Sequence, residues 1–393
     1  MTERKKILFC IQHFQHGGIQ KSLEQLLSLL DSSKYEIEIF CALHRGVYKA
    51  AFRDYKVLKQ NSLLWYLCVN YRDINGITKY VVLALKTAAK ALRFTGINIF
   101  DMVLRRVAND ISHRDYDVVV AFAEGYVTSM VSYVECRKKA AWIHLDYKRL
   151  LHYEPNAKQE NKDIYSKFEF IVSPSQFSRQ SFEDVYPELR DKIQNITNVI
   201  DSEKIKALSQ EASALDELYD TSQFTIVSVG RICYEKRFFE IPLIAAKIKQ
   251  SNSAPFKWYI IGDGSEMEVS YVRQEIEKNH VADCVILLGS KNNPYTYISR
   301  CNLVVVTSIS ETFSYVIAEA KVLGVPIVST DFGSSKEVID ENSGIISPLE
   351  TLDCQVSKMI NDVDYYTHLR ARLSDYNHDN NKALACIDNL FRC

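Results

Sequence analysis

Two glutamates eight residues apart, Glu311 and Glu319, lie in Ser308-Ile309-Ser310-Glu311-Thr312-Phe313-Ser314-Tyr315-Val316-Ile317-Ala318-Glu319-Ala320, directly after an apolar run at residues 303–306. A helix starting near Thr312 would leave Glu311 just before it and carry Glu319 about two turns inside, between alanine and isoleucine. A carboxylate on an apolar helix face is costly unless paired, and the hydroxyls of a polyhydroxylated ligand are suitable donors to it. The bland alternative is a helix cap and a partly solvated glutamate.

A second constellation, Gly230-Arg231-Ile232-Cys233-Tyr234-Glu235-Lys236-Arg237, follows a strand-like run and opens a helical segment. Arg231 offers a planar fork of donors and Lys236 a compact charge, a combination suited to a diphosphate; two solvated surface cations are the competing reading. Near the N-terminus, Gly17-Gly18 separates an apolar run from a leucine-periodic segment beginning near Gln20. Two glycines let a ligand approach the backbone, and the helix start offers N–H groups to an anion. A plain tight turn explains the pair as well. His144 ends the run at residues 140–144, where a lone histidine is usually a satisfied structural residue. Glu124, after the run at 118–123, is a weaker candidate for a ligand-facing residue.

The elements that position these residues are short runs apolar on both faces, at 7–11, 37–42, 118–123, 140–144 and 170–173, then at 225–229, 258–261, 285–288, 303–306 and 326–328. Amphipathic segments separate them. Strands of this kind belong to parallel sheets covered by helices on both sides, so the expected class is α/β. We expect two Rossmann-like, doubly wound domains facing a cleft, an N-terminal domain, 1–200, and a C-terminal domain, 201–375. The polar stretch at 199–223 marks the boundary, and a C-terminal helix near 375–393 is predicted to pack back on the first domain. In such sheets ligands sit beyond the carboxyl ends of the strands, where the candidate residues fall.

At 393 residues, 47% hydrophobic and 25% charged, the chain has an ordinary globular composition, which excludes a disordered or disulfide-stapled chain. No run approaches the ~18 to 20 apolar residues of a spanning helix, and the start MTERKKILFCIQ lacks the long apolar core of a signal peptide. The ten cysteines, scattered from Cys10 to Cys393, form no Cys-x-x-Cys pair and no zinc motif. The chain reads as cytoplasmic, so the acceptor-like triplet Asn195-Ile196-Thr197 carries no glycosylation. Charge is uneven: residues 1–198 hold 29 Lys and Arg against 22 Asp and Glu, a net of +7, and the remainder 19 against 27, a net of −8. The basic half suits an anionic membrane surface, while the acidic half argues against a nucleic-acid wrapper.

Taken in order, Gly17-Gly18, Gly230-Arg231 with Glu235-Lys236, Ile261-Gly262-Asp263-Gly264, Leu288-Gly289, and Glu311 with seven residues before Glu319 resemble the motif series of glycosyltransferase family 4. The match is strongest over 224–348. The resemblance implies the GT-B fold and a retaining transferase. It implies that Glu319 binds the ribose hydroxyls and Glu311 the donor sugar, and that Arg231 and Lys236 hold the diphosphate with Gly17 and Gly18 near it. Thr312, Phe313 and Ser314 would offer backbone N–H groups, Gly230, Gly262 and Gly289 would shape the nucleotide pocket, and His144 would stand beside the sugar. Ser314 departs from the glycine common in that family and Thr312 from its glycine or serine, which bears on donor specificity.

Two Asp-x-Asp triplets, at Asp115 and Asp362, are read as solvated or capping carboxylates, and no obligatory metal or other cofactor is expected. Between residues 79 and 106, Lys79, Lys86, Lys90, Arg93, Arg105 and Arg106 interleave with apolar residues, opposed by Asp101. The spacing places the first four cations on one side of a helix, as in a segment lying on anionic lipid; an ordinary amphipathic helix closing the domain weighs equally. The resulting expectation is an enzyme moving a hexose or N-acetylhexosamine from a nucleoside diphosphate sugar, UDP-linked, to a glycan acceptor on a lipid. Its setting would be bacterial capsule, O-antigen or exopolysaccharide synthesis, peripheral on the inner face of the membrane, with no nucleic-acid partner. The rivals are a GT-B enzyme with a soluble acceptor, a nucleotide-sugar epimerase, and a catalytically silent nucleotide- or glycan-binding module. The missing Gly-x-Gly-x-x-Gly disfavours a dinucleotide oxidoreductase.

Overall fold

The computed structural model describes residues 4–211, 217–251 and 254–392. Residues 212–216 of the expected boundary stretch, and Cys393, lie outside them. The chain divides into two compact units, Met1–Val199 with Asn381–Cys393, and Ile200–Asn380.

The first unit is built on seven parallel strands: β1 (Lys5–His13), β2 (Tyr35–Leu43), β3 (Lys56–Val57), β4 (Val118–Ala121), β5 (Lys138–Trp142), β6 (Phe170–Ser173) and β7 (Ile193–Asn195), in the order β3-β2-β1-β4-β5-β6-β7. Alternation along each strand feeds two cores. Leu8, Cys10, Val119 and Ala141 face one side of the sheet; Ile7, Phe9, Val120 and Trp142 face the other. The helix Asn381–Phe391 covers the second side: Phe391 is fully buried against Phe9 and Tyr35, with ring centroids 6.0 and 5.6 Å away. Asp388 fixes it there, accepting from Lys34 Nζ at 2.8 Å and Tyr35 OH at 2.7 Å.

The second unit has six parallel strands: β8 (Phe224–Val229), β9 (Phe256–Ile261), β10 (Val285–Gly289), β11 (Leu303–Val306), β12 (Ile327–Thr330) and β13 (Gly344–Ser347), ordered β10-β9-β8-β11-β12-β13. Ile226, Trp258 and Val305 face one core, and Val227, Tyr259 and Val304 the other. In both sheets the strand order reverses once, between β1 and β4 and between β8 and β11. A reversal of this kind opens a crevice at the carboxyl edge of an α/β sheet, the usual ligand position.

All ten expected strands form, 170–173 and 303–306 at the expected bounds and the other eight with one or both ends shifted. The expected run 140–144 ends two residues early, so His144 stands in the loop after β5 rather than on the strand. The three strands the pattern missed, β3, β7 and β13, all lie at sheet edges or next to them, and β3 and β7 are the shortest of all. No helix among the described residues is long and apolar enough to cross a membrane.

Candidate active site

In the second unit the reversal point places the ends of β8 and β11 side by side, and with them the two constellations. Lys236 Nζ lies 2.9 Å from Glu311 Oε1, a pair partly shielded from solvent. Ser308 Oγ donates to the same carboxylate oxygen at 2.6 Å, and Ser334 Oγ donates to the Glu311 carbonyl at 2.9 Å. The backbones are laced together: Ile309 N–H donates to the Glu235 carbonyl at 2.8 Å, and Thr307 Oγ1 to the Lys236 carbonyl at 2.6 Å. The loop after β11 is therefore bonded to the turn carrying Lys236, and neither side chain has to search for the other. Arg231 remains exposed, with no ion pair among the described residues.

The local geometry corrects two expectations. Glu235-Lys236 does not open a helix; two 3-10 turns, Tyr234–Lys236 and Phe238–Glu240, precede the helix Ile241–Gln250, with Arg237 between them at φ 52. A left-handed arginine costs about 1 kcal/mol and turns the chain sharply after Lys236. The helix after Glu311 starts at Tyr315 rather than Thr312, so Glu319 lies one turn inside, not two. Ser314 occupies the N-cap without a side-chain cap bond, and its Oγ is buried without a hydrogen-bond partner. Thr312 and Phe313 are half-buried in the preceding loop. Glu319 is 1% exposed and accepts from Tyr295 OH at 3.1 Å.

The glycines divide by what surrounds them. A Cβ on Gly262 would lie 1.7 Å from the Gly230 carbonyl oxygen, and one on Gly264 2.2 Å from the Ile232 carbonyl oxygen. These positions are glycine because the chain leaving β8 runs closely alongside the chain leaving β9, bridged in parallel at Ile232 and Gly264. Gly289 ends β10 at φ +70 with open space around its Cβ position.

In the first unit, β1, β4 and β5 are neighbours, and the residues at or beyond their carboxyl ends meet. Gln12 Nε2 donates to the Glu124 carbonyl at 2.7 Å, and the Glu124 carboxylate accepts from the backbone N–H of His144. Burial drives Glu124 up to about 7 and His144 down to about 4; near neutrality the imidazole is uncharged and the carboxyl partly protonated. Gly17 caps the helix Gly18–Leu29 without a side-chain bond, and Gln20 folds back to donate to the His13 carbonyl at 2.9 Å. A Cβ on Gly17 would lie 2.6 Å from Gln20 Oε1, whereas Gly18 has open space. Gln12, Gln20, Ser308 and Tyr295 were not foreseen from sequence. Ser308 alone had a visible cue, three residues from Glu311 in the same loop.

Of the triplets, Asp362 caps the helix Val363–Leu373 by accepting from Tyr365 N–H at 3.0 Å, and Asp117 accepts from Lys6 N–H at 2.9 Å and pairs with Arg137 at 3.0 Å.

Because the Glu124 carboxyl titrates higher folded than unfolded, the folded state holds a proton that the unfolded state has released between about pH 4.5 and 7. That contribution is present below the window and lost as pH rises through it, at up to about 1.4 kcal/mol per pH unit. Glu124→Gln, neutral throughout, removes this slope. Denaturant melts of both proteins from pH 4.5 to 7.5 should show the wild type losing stability relative to the variant as pH rises; parallel curves would place Glu124 in water.

Residues 209–377, less than half of the chain, match the family model described as glycosyl transferases group 1. Over its whole length the chain is similar in structure to Anabaena HepE in complex with UDP and glucose, at TM-score 0.72 and 17% identity, covering 98% of this chain and 99% of that one. The chain carries a glycosyl transferase group 1 domain on a GT-B fold. TarM is a further structural relative, at TM-score 0.68, 13% identity and coverage of 100% and 99%. Among curated proteins, an uncharacterized glycosyltransferase of Methanocaldococcus jannaschii is 28% identical over 175 residues, 43% of this chain and 41% of that protein. An N-acetylgalactosamine-N,N'-diacetylbacillosaminyl-diphospho-undecaprenol 4-alpha-N-acetylgalactosaminyltransferase of Campylobacter jejuni is 27% identical over 193 residues, 46% and 50% of the two chains. These matches span half or less of the curated relatives' length.

Proposed function

We propose that this GT-B chain is a retaining glycosyltransferase that moves a hexose or N-acetylhexosamine from a UDP-linked donor to a lipid-linked glycan during assembly of a bacterial surface polysaccharide. The observation that carries this reading is the Lys236–Glu311 pair at 2.9 Å, inside the matched domain, with Glu319 buried one turn into the following helix. Glycosyl transfer builds positive charge at the anomeric carbon and negative charge on the departing diphosphate. Lys236 and Arg231 supply cations for the leaving group, and the helix start at Tyr315 adds a positive dipole end. Glu311, held by Lys236 and Ser308, is placed to accept from sugar hydroxyls, and Glu319 from the ribose. With the chain's own cations neutralising the diphosphate, no obligatory metal is assigned. Roles for Gly17, Gly18 and His144 toward the donor, and retention itself, rest on the family 4 motif series.

The UDP seen with Anabaena HepE supports the choice of base, and the diphospho-undecaprenol in the name of the Campylobacter jejuni relative supports a lipid-linked acceptor. The test is a panel of UDP-, GDP- and ADP-sugars, followed by nucleoside diphosphate release with and without lipid-diphosphate glycan, and by the anomeric signal of the product. Turnover of one UDP-sugar with an α-linked product is expected. Binding of nucleotide with no turnover of any donor under any acceptor would contradict the reading in favour of a silent module.

A further inference from the structure

The main-chain bonding of β5 to its neighbour ends just before His144. Ile143 N–H still donates to the Val172 carbonyl of β6 at 2.9 Å, but the next N–H, that of His144, donates to the Glu124 carboxylate instead. The Leu145 N–H acts on the same carboxylate. The imidazole is held by the same short segment, packing on fully buried Phe122 with ring centroids 5.3 Å apart. Residues 122–124 therefore hold His144 at two points, its backbone and its ring.

Glu124 is itself fixed from two sides. Its carbonyl accepts from Gln12 Nε2, near the end of β1, at 2.7 Å, and the carbonyl before it, that of Ala123, accepts from Thr128 Oγ1 at 2.7 Å. Phe122 N–H donates to the Cys10 carbonyl at 2.9 Å, so the segment stays in step with β1 up to that point. Glu124 thus ties the ends of β1, β4 and β5 together where the strand order of the first sheet reverses. A hydroxyl would be enough to close such a loop: after β6, the Ser178 N–H is served by Ser175 Oγ at 3.1 Å. A carboxylate withdrawn from water is a costlier acceptor, and burial pushes this one up to about 7. Groups perturbed in this way gather at functional sites.

We infer that Glu124 is a positioning residue for His144: anchored to β1 through Gln12, its carboxylate sets the direction of the imidazole and acts through it rather than on a ligand. The inference rests on the transfer reading, in which His144 has a role toward the donor. A reacting group misplaced by about 1 Å costs on the order of a hundredfold in rate, so a bond that fixes its direction is felt in turnover.

The experiment is a double-mutant cycle on the UDP-sugar reaction with the wild-type chain, Glu124→Gln, His144→Ala and the pair. Each is measured for kcat, KM, circular dichroism and the dissociation constant for UDP. Glu124→Gln sets an amide among main-chain N–H groups that the carboxylate had accepted, shifting His144 in a folded protein. Each single variant should lose roughly tenfold or more in kcat, and the pair no more than His144→Ala alone. UDP should bind all four about equally, since Arg231 and Lys236 lie in the second unit. Gln12→Ala, which releases the Glu124 carbonyl, should show a smaller loss that likewise vanishes once His144 is alanine. Losses that multiply in the pair would overturn the inference, because Glu124 would then act on its own. So would wild-type kcat in Glu124→Gln, wild-type kcat in His144→Ala, or a Glu124→Gln that loses UDP binding as it loses turnover. Any of these in a chain whose wild type turns over its donor leaves the transfer reading standing; a wild type that turns over no donor overturns both.

Discussion

Lys236→Ala should lower kcat/KM for the UDP-sugar by about a hundred- to a thousandfold, the usual cost of deleting one preorganised charge from a site where negative charge develops. The loss should appear in turnover more than in folding. The pair with Glu311 is only partly shielded, with side chains 25% and 10% exposed, and the loop is also held by the Ile309 N–H and by the Thr307 and Ser334 hydroxyls, each donating to a backbone carbonyl. Glu311→Gln keeps the size of the side chain and its ability to accept from Ser308 but removes the charge facing Lys236, and it should lose activity on a similar scale. If both variants instead melted several degrees lower while turning over donor at the wild-type rate, the pair would be a structural ion pair and nothing more.

Gly262→Ala should be among the most destabilising single changes in the second unit. Its Cβ would fall 1.7 Å from a backbone oxygen of Gly230, and no side-chain rotation relieves a clash between two main chains. The strand ends are pinned by Gly230 N–H to the Ile261 carbonyl and Gly262 N–H to the Gly289 carbonyl, both at 3.0 Å, so the strain spreads across β8, β9 and β10. A cost of about 3 kcal/mol or more is expected, read as a fall in Tm of about 10 °C for a unit of this size. Gly18→Ala is the contrast: open space surrounds its Cβ position, so the variant should melt like the wild type, and any activity it loses reports on a ligand. Equal melting of all three proteins would mean that the two strand ends are farther apart than described.

These two sites show what the residue order made legible. The paired Glu311 and Glu319 and the Arg231–Lys236 spacing stood out because chemistry-bearing residues followed apolar runs directly, and those runs formed central strands for the same reason, being apolar on both faces. Three of the four edge strands carry no such signal; the fourth, β10, does, with Val285 and Leu288 buried. β7 has one buried residue, Ile193, and β13 one, Ser347, since an edge has less sheet around it to bury side chains. The start of the helix at Tyr315 was misplaced because nothing in Thr312-Phe313-Ser314 breaks a helix outright; the loop before it is held non-helical by the long-range bonds of Glu311 with Lys236 and Ser334. Tyr295 reaches Glu319 across 24 residues, and Gln12 reaches Glu124 across 112; pairs brought together by sheet order leave no periodic trace. The spacing between residues 79 and 106 likewise marked an amphipathic segment, but which face meets the protein is decided where Val82 packs with Leu43 and Val69, far from the pattern itself.

The most direct test of the donor site is an equilibrium titration of UDP into the wild-type chain and Lys236→Ala. Saturable binding to the wild type, weakened at least about tenfold in the variant, is the predicted result. A folded wild type that binds no nucleoside diphosphate, or binds UDP equally well without Lys236, would contradict it.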